Sequence, residues 1–200
     1  MPRPPGRDIL KATMIRLPDT RGLPSEWVRL LEDHARAIEE YGTAAGALDP
    51  AVWIAPIAPG KWSPAEVTAH VAEAYRVLST ELGGANGMRL RGSRLQRLLL
   101  RYTVLPRLLA GKPFPPGVRA PREIRPTEII NDPALAVAAL VQRAEQFTRD
   151  LTARATMQSV RLTHPYFGRL SPRQGLELST VHTRHHAQQL VAINRSPLPS

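Results

Sequence analysis

The chain contains no cysteine, which removes disulfides, thiolate-ligated zinc and a cysteine nucleophile together. Apolar runs are short. None approaches the ~20 residues that cross a bilayer, and the opening MPRPPGRDILK has no apolar leader core, so the expectation is a cytoplasmic protein without a transmembrane segment. Aromatic residues are few, at 5%, and no series of them interleaves with the basic residues, which argues against nucleic acid as a partner. Lysine is scarce too, three of 27 cations, so the net charge of +10 is carried by arginine. What is present suits one compact unit: 200 residues, 42% of them hydrophobic, are enough to bury a sizeable core.

Helix-start signals organise the chain. Ser63-Pro64-Ala65-Glu66 and Ser171-Pro172-Arg173-Gln174 each combine an N-cap serine, proline at the first helical position and an acceptor at the third, the pattern of a capping box. Asn131-Asp132-Pro133 opens a third helix running to about Ala155, with Leu135, Ala139, Gln142 and Gln146 as its stripe and Val137, Leu140, Ala144 and Phe147 beside it. The first helix starts near Ser25, and Gly42 is a plausible stop. Loops over 44–61 and 158–170 complete the set. Four long helices predict an all-α bundle, an architecture that builds metal sites between facing helices.

The histidines are placed for such a site. His182 and His186 lie one helical turn apart in VHTRHHAQQL, and residues i and i+4 share a helix face, so both imidazoles can reach one ion. The alternative is two surface histidines that fall one turn apart. Their neighbours favour an inward face: Leu178, Val181, His182, His186, Gln189 and Leu190 form one stripe, and Val67, His70, Val71, Ala74 and Leu78 form another. His70 can therefore supply a third ligand, leaving open positions on the ion as catalytic sites do. Three nitrogen ligands suit one divalent ion, zinc, nickel or iron. His185 points about 100° away and is expected at the rim or in solvent. His34, in an acidic helix, is structural or exposed.

The motifs WSPAEVTAH, HPYFGRLSP and HTRHHAQQL, in that order, resemble the signatures of the DinB/YfiT-like superfamily of metal-binding four-helix bundles, a likeness that covers about Trp27 to Ile193. The resemblance implies a DinB-like bundle over residues 23–195, preceded by a basic extension (1–22) and followed by a short tail (196–200). It implies a divalent ion on His70, His182 and His186, and either metal-dependent hydrolysis or transfer of a low-molecular-weight thiol to a small-molecule electrophile. Without cysteine, any reacting thiol arrives with the substrate.

Three residues are candidate participants in catalysis. Glu66, one turn before His70, could orient it or act as a base, although its capping-box position already accounts for it. Gln189 could reach the site as a donor or fill the core. His164 could approach the substrate, with an anchoring role in its loop the stronger reading; it is not expected to ligate the ion. HTRHH lacks the glutamate of HExxH, so a general base of that type is missing. Trp62, Tyr166 and Phe167 are candidates to wall the pocket.

Between the second and third main helices sits an insertion, 83–126, with ten basic residues against the single acid Glu123, a net charge of +9. Its first half, SRLQRLLLRYTVLPRLLAG, reads as an amphipathic helix bent or ended near Pro106; its second, KPFPPGVRAPREIRP, as a proline-rich strap. A cover over the metal mouth, with arginines holding a substrate carboxylate or phosphate, and a homodimer contact through its leucines are both open. Three function classes follow: a metal-dependent hydrolase or thiol S-transferase, a non-catalytic metal-binding or stress-response bundle, and a binder of anions or nucleic acid through the arginines.

Overall fold

The computed structural model describes residues 14–115, 117–154, 157 and 159–195. The tail 196–200, the first thirteen residues of the extension, and the expected limits at Ala155 and Gln158 lie outside the described residues. The elements in chain order are α1 (Ser25–Gly46), α2 (Pro50–Ile54), α3 (Pro64–Leu82), α4 (Arg94–Thr103), α5 (Leu105–Leu109), a 3-10 turn (Arg122–Ile124), α6 (Pro133–Thr152), β1 (Leu162–His164), β2 (Gly168–Leu170) and α7 (Pro172–Arg195). The fold is the all-α bundle that the sequence predicts. The four long helices pack as α1 along α7 and α3 along α6, and α1–α6 and α3–α7 contacts close the bundle.

Periodic burial explains the pairing. In α1 the buried Trp27, Leu31, His34, Ile38, Tyr41 and Ala45 alternate steps of four and three residues, and in α6 Val137, Leu140, Ala144, Phe147 and Leu151 do the same. This pattern corrects two expectations. Gly42 does not stop α1: it is buried within a stripe that continues to Ala45, and that packing outweighs the roughly 1 kcal/mol helix cost of a glycine. The core face of α6 is the set Val137, Leu140, Ala144 and Phe147, whereas Leu135 is 64% exposed and Gln142 and Gln146 face solvent.

The expected loops carry structure of their own. Asp49 caps α2, which delivers Trp53 into the core, where its Nε1–H donates to the Ile130 carbonyl at 3.2 Å. The stretch before α7 forms the antiparallel hairpin β1–β2, turning through Gly168 at φ +74°. Glu81 of α3 ties this hairpin down, accepting from the Thr163 amide at 3.0 Å and its hydroxyl at 2.6 Å. In the insertion, the helix breaks at Val104, and Pro106 falls in the first turn of α5 rather than ending a helix, because that turn needs no proline N–H. The strap then runs back across α3, with Ile124 buried beside Val77 and Met88.

Candidate metal centre

The three histidines are delivered by two helices whose rotation is fixed elsewhere. On α3, the Ser63 hydroxyl accepts from the Glu66 amide at 3.2 Å while the Glu66 carboxylate accepts from the Ser63 amide at 2.7 Å, so the capping box is complete and places His70 in the second turn. On α7, Arg184 grips Asp33 of α1 through two bonds of 2.8 and 2.9 Å and reaches Glu40 at 3.1 Å. These bonds hold its guanidinium above the usual range, Asp33 foremost. Thr183 meets the buried Tyr75 hydroxyl at 2.7 Å. With those faces anchored, His182 and His186 turn toward α3.

The imidazoles converge through Nε2. His182 Nε2 lies 3.2 Å from His70 Nε2 and 3.0 Å from His186 Nε2. The proton positions of two rings follow from their other nitrogens. His70 Nδ1 is 2.7 Å from the Ile124 carbonyl, which can only accept, so the proton is on Nδ1 and the Nε2 lone pair is free. His186 Nδ1 is 2.8 Å from Gln189 Oε1, which frees its Nε2 in the same way. Two lone pairs thus face His182 Nε2, and one proton there could serve only one of them. A cation among the three would serve all. Ligand bonds near 2.0–2.1 Å at tetrahedral to octahedral angles separate the nitrogens by roughly 2.9–3.4 Å, and the two separations from His182 Nε2 fall in that range. The three residues form a cluster that could hold a metal ion.

Burial keeps the cluster neutral, as ligation requires. His186 is pushed down to about 3, chiefly by desolvation and then by His70, with the Gln189 bond opposing. His182 falls well below the ordinary value, through burial and then its two neighbours, and His70 is lowered by burial against the pull of the Ile124 carbonyl. Aromatic walls surround the cluster: Trp62 packs 5.0 Å from His70, and Phe114 lies 6.1 Å from His182. Phe114 also packs 4.8 Å from His185, which is half-buried at the rim and accepts from Gln189 Nε2 at 3.0 Å. Between α1, α7 and the strap lies a cavity of about 370 Å³ that Lys112, Phe114, His185 and Gln188 help to line.

The other candidates are placed as follows. Gln189 touches His186 and His185. Glu66 is occupied by the capping box. His164 is half-buried in the hairpin, where its Nδ1 accepts from the Tyr166 and Phe167 amides, both at 3.3 Å, and its ring stacks on Phe167 at 4.4 Å. His34 is fully buried, and its Nδ1 donates to Thr180. Two contributors escaped the sequence reading. The Ile124 carbonyl is a backbone group with no residue signature, and Phe114 reaches the site only because the strap folds back.

The DinB superfamily profile matches residues 31–190, a span that includes all three histidines and the insertion. The chain belongs to the DinB superfamily. No curated protein and no solved structure gives a significant match. As a DinB superfamily member it carries the bundle and a histidine cluster that could hold a metal, and among the described residues no helix is long and apolar enough to cross a membrane.

Proposed function

We propose that this DinB superfamily protein is a cytoplasmic metal-dependent enzyme, a hydrolase or a thiol S-transferase, with one zinc, nickel or iron(II) ion on His70, His182 and His186. The observation that carries the reading is the convergence of three Nε2 atoms, two of them on rings, His70 and His186, whose outer nitrogens are already committed to a carbonyl and an amide oxygen. When bound, the ion supplies Lewis acidity, which lowers the pKa of water or of a small thiol into the neutral range.

The chain's residues do the rest. Ile124 and Gln189 hold two rings in the ligating tautomer. Trp62 and Phe114 exclude water from one side of the cluster and so strengthen electrostatic interactions within it. Gln189 acts through His186 as a positioning residue. Glu66 is held by its helix cap and His164 by its turn, so neither is given a part in proton transfer. Between His182 and His186 on α7, the half-buried His185 stands at the rim and is placed to exchange a proton with a substrate there.

The test is to compare metal-loaded protein, chelator-treated protein and His182→Gln against a panel of activated esters and amides and a panel of small thiols with electrophiles. The proposal expects turnover in one panel by the loaded protein alone, with helix content unchanged in the other two. Full metal occupancy without turnover in either panel would favour a non-catalytic metal-binding bundle.

A further inference from the structure

Helix α4 turns its leucines away from the protein. Leu95, Leu98, Leu99 and Tyr102 recur at i, i+3, i+4 and i+7, which puts them on one face, and they are 75%, 51%, 61% and 72% exposed. The opposite face is the attached one. Arg101 donates to the Arg169 carbonyl and to Gln174, Arg97 donates to the carbonyls of Arg91 and Gly92, and Leu100 and Val104 pack on the cluster of Phe167, Leu170 and Leu178. A complete capping box between Ser93 and Gln96 starts the helix. A formed, anchored helix therefore presents an apolar stripe to solvent, so docking would spend no free energy on folding it.

The charge around the stripe selects the occupant. Segment 83–126 carries a net charge of +9; the exposed Arg94 falls beside the leucines on the helical wheel, whereas Arg97 and Arg101 are held on the attached face. A second copy meeting the stripe about a twofold axis would set this charge against itself. Nucleic acid phosphates would use the arginines and gain nothing from three leucines at the centre of the face. An anionic bilayer supplies both complements, lipid phosphates for the arginines and the acyl boundary for the leucines, with tyrosine suited to the interface between them.

We propose that α4 docks this protein, lying flat, on an anionic phospholipid surface, with Leu95, Leu98, Leu99 and Tyr102 entering the headgroup boundary and Arg94 and the other exposed arginines of the insertion on lipid phosphates. The same insertion supplies Phe114 and the Ile124 carbonyl to the histidine cluster.

Flotation of the full chain with phosphatidylcholine vesicles, with and without phosphatidylglycerol, tests this. Binding is expected only to the anionic vesicles, weakening as salt rises, and reduced about tenfold or more by the pair L98S/L99S and by R94E. Thermal unfolding of each variant verifies the fold, and L95S/Y102S serves as a second probe of the same face. Absence of binding to anionic vesicles overturns the proposal. So does binding that L98S/L99S leaves intact, or a monomer–dimer equilibrium abolished by L98S/L99S in a protein that ignores vesicles. Salt-dependent binding to DNA or RNA without vesicle binding overturns it as well.

Discussion

Replacing Gln189 with alanine removes the acceptor that keeps the His186 proton on Nδ1 while leaving all three proposed ligands in place. Loss of such an outer partner typically weakens metal binding about 10–100-fold, or roughly 1.4–2.7 kcal/mol. The structure points to the lower end, about tenfold, because Gln189 is exposed and water can take over as acceptor at 2.8 Å from His186 Nδ1. Gln189→Glu should instead match or exceed the wild type, since a carboxylate accepts that bond more strongly. The assay is competition for zinc against a chromogenic chelator, with thermal unfolding of the metal-free proteins as the control for fold. Equal zinc affinity in wild type and Gln189→Ala, or weaker binding by Gln189→Glu than by Gln189→Ala, would refute the argument that the outer nitrogens orient the site.

Further outcomes follow from the buried groups. His34 and His164 are each lowered to about 4 by burial, below the ~6.5 of an unfolded histidine, so the unfolded chain binds more protons between those values and stability falls as pH falls. Chelator-treated protein should lose about 2 kcal/mol per histidine between pH 7 and pH 5; identical urea midpoints at the two pH values would contradict this. Gly87→Ala would drive a methyl group into the Glu81 carboxylate that holds Thr163, and should cost about 1–3 kcal/mol, read as a lowered melting temperature. Phe147→Ala, at a fully buried position, should cost about 3–5 kcal/mol in urea unfolding, and a loss under 1 kcal/mol would show that α6 is not packed as described.

Much of the bundle was legible because its signals are local. Ser63 and Ser171 announce helix starts by chemistry within four residues, and the starts of α3 and α7 follow them. His70, His182 and His186 were legible because an inward stripe and an i, i+4 spacing are properties of a single helix. Helix ends were less so: nothing near Gly42 reveals that Tyr41, Gly42 and Ala45 pack against the rest of the core, which is what carries α1 to Gly46. The α6 stripe was misjudged because two adjacent sets share the helical period, and only the neighbouring helices choose between them. The insertion was hardest. Its amphipathic spacing is real, but which face meets the protein depends on Arg101 finding the Arg169 carbonyl and on Leu105 and Leu108 filling the space beside Phe167.

Everything proposed for the site requires that His70, His182 and His186 hold one divalent ion. The direct measurement is metal content per chain by plasma mass spectrometry, on protein purified without an affinity tag, wild type beside His182→Ala. Close to one equivalent of zinc, nickel or iron is expected in the wild type and its loss in the variant, with the helical fold of both unchanged by circular dichroism. No metal in the wild type, even after reconstitution with each of the three ions, would contradict it and leave the cluster as three neutral imidazoles packed in the core.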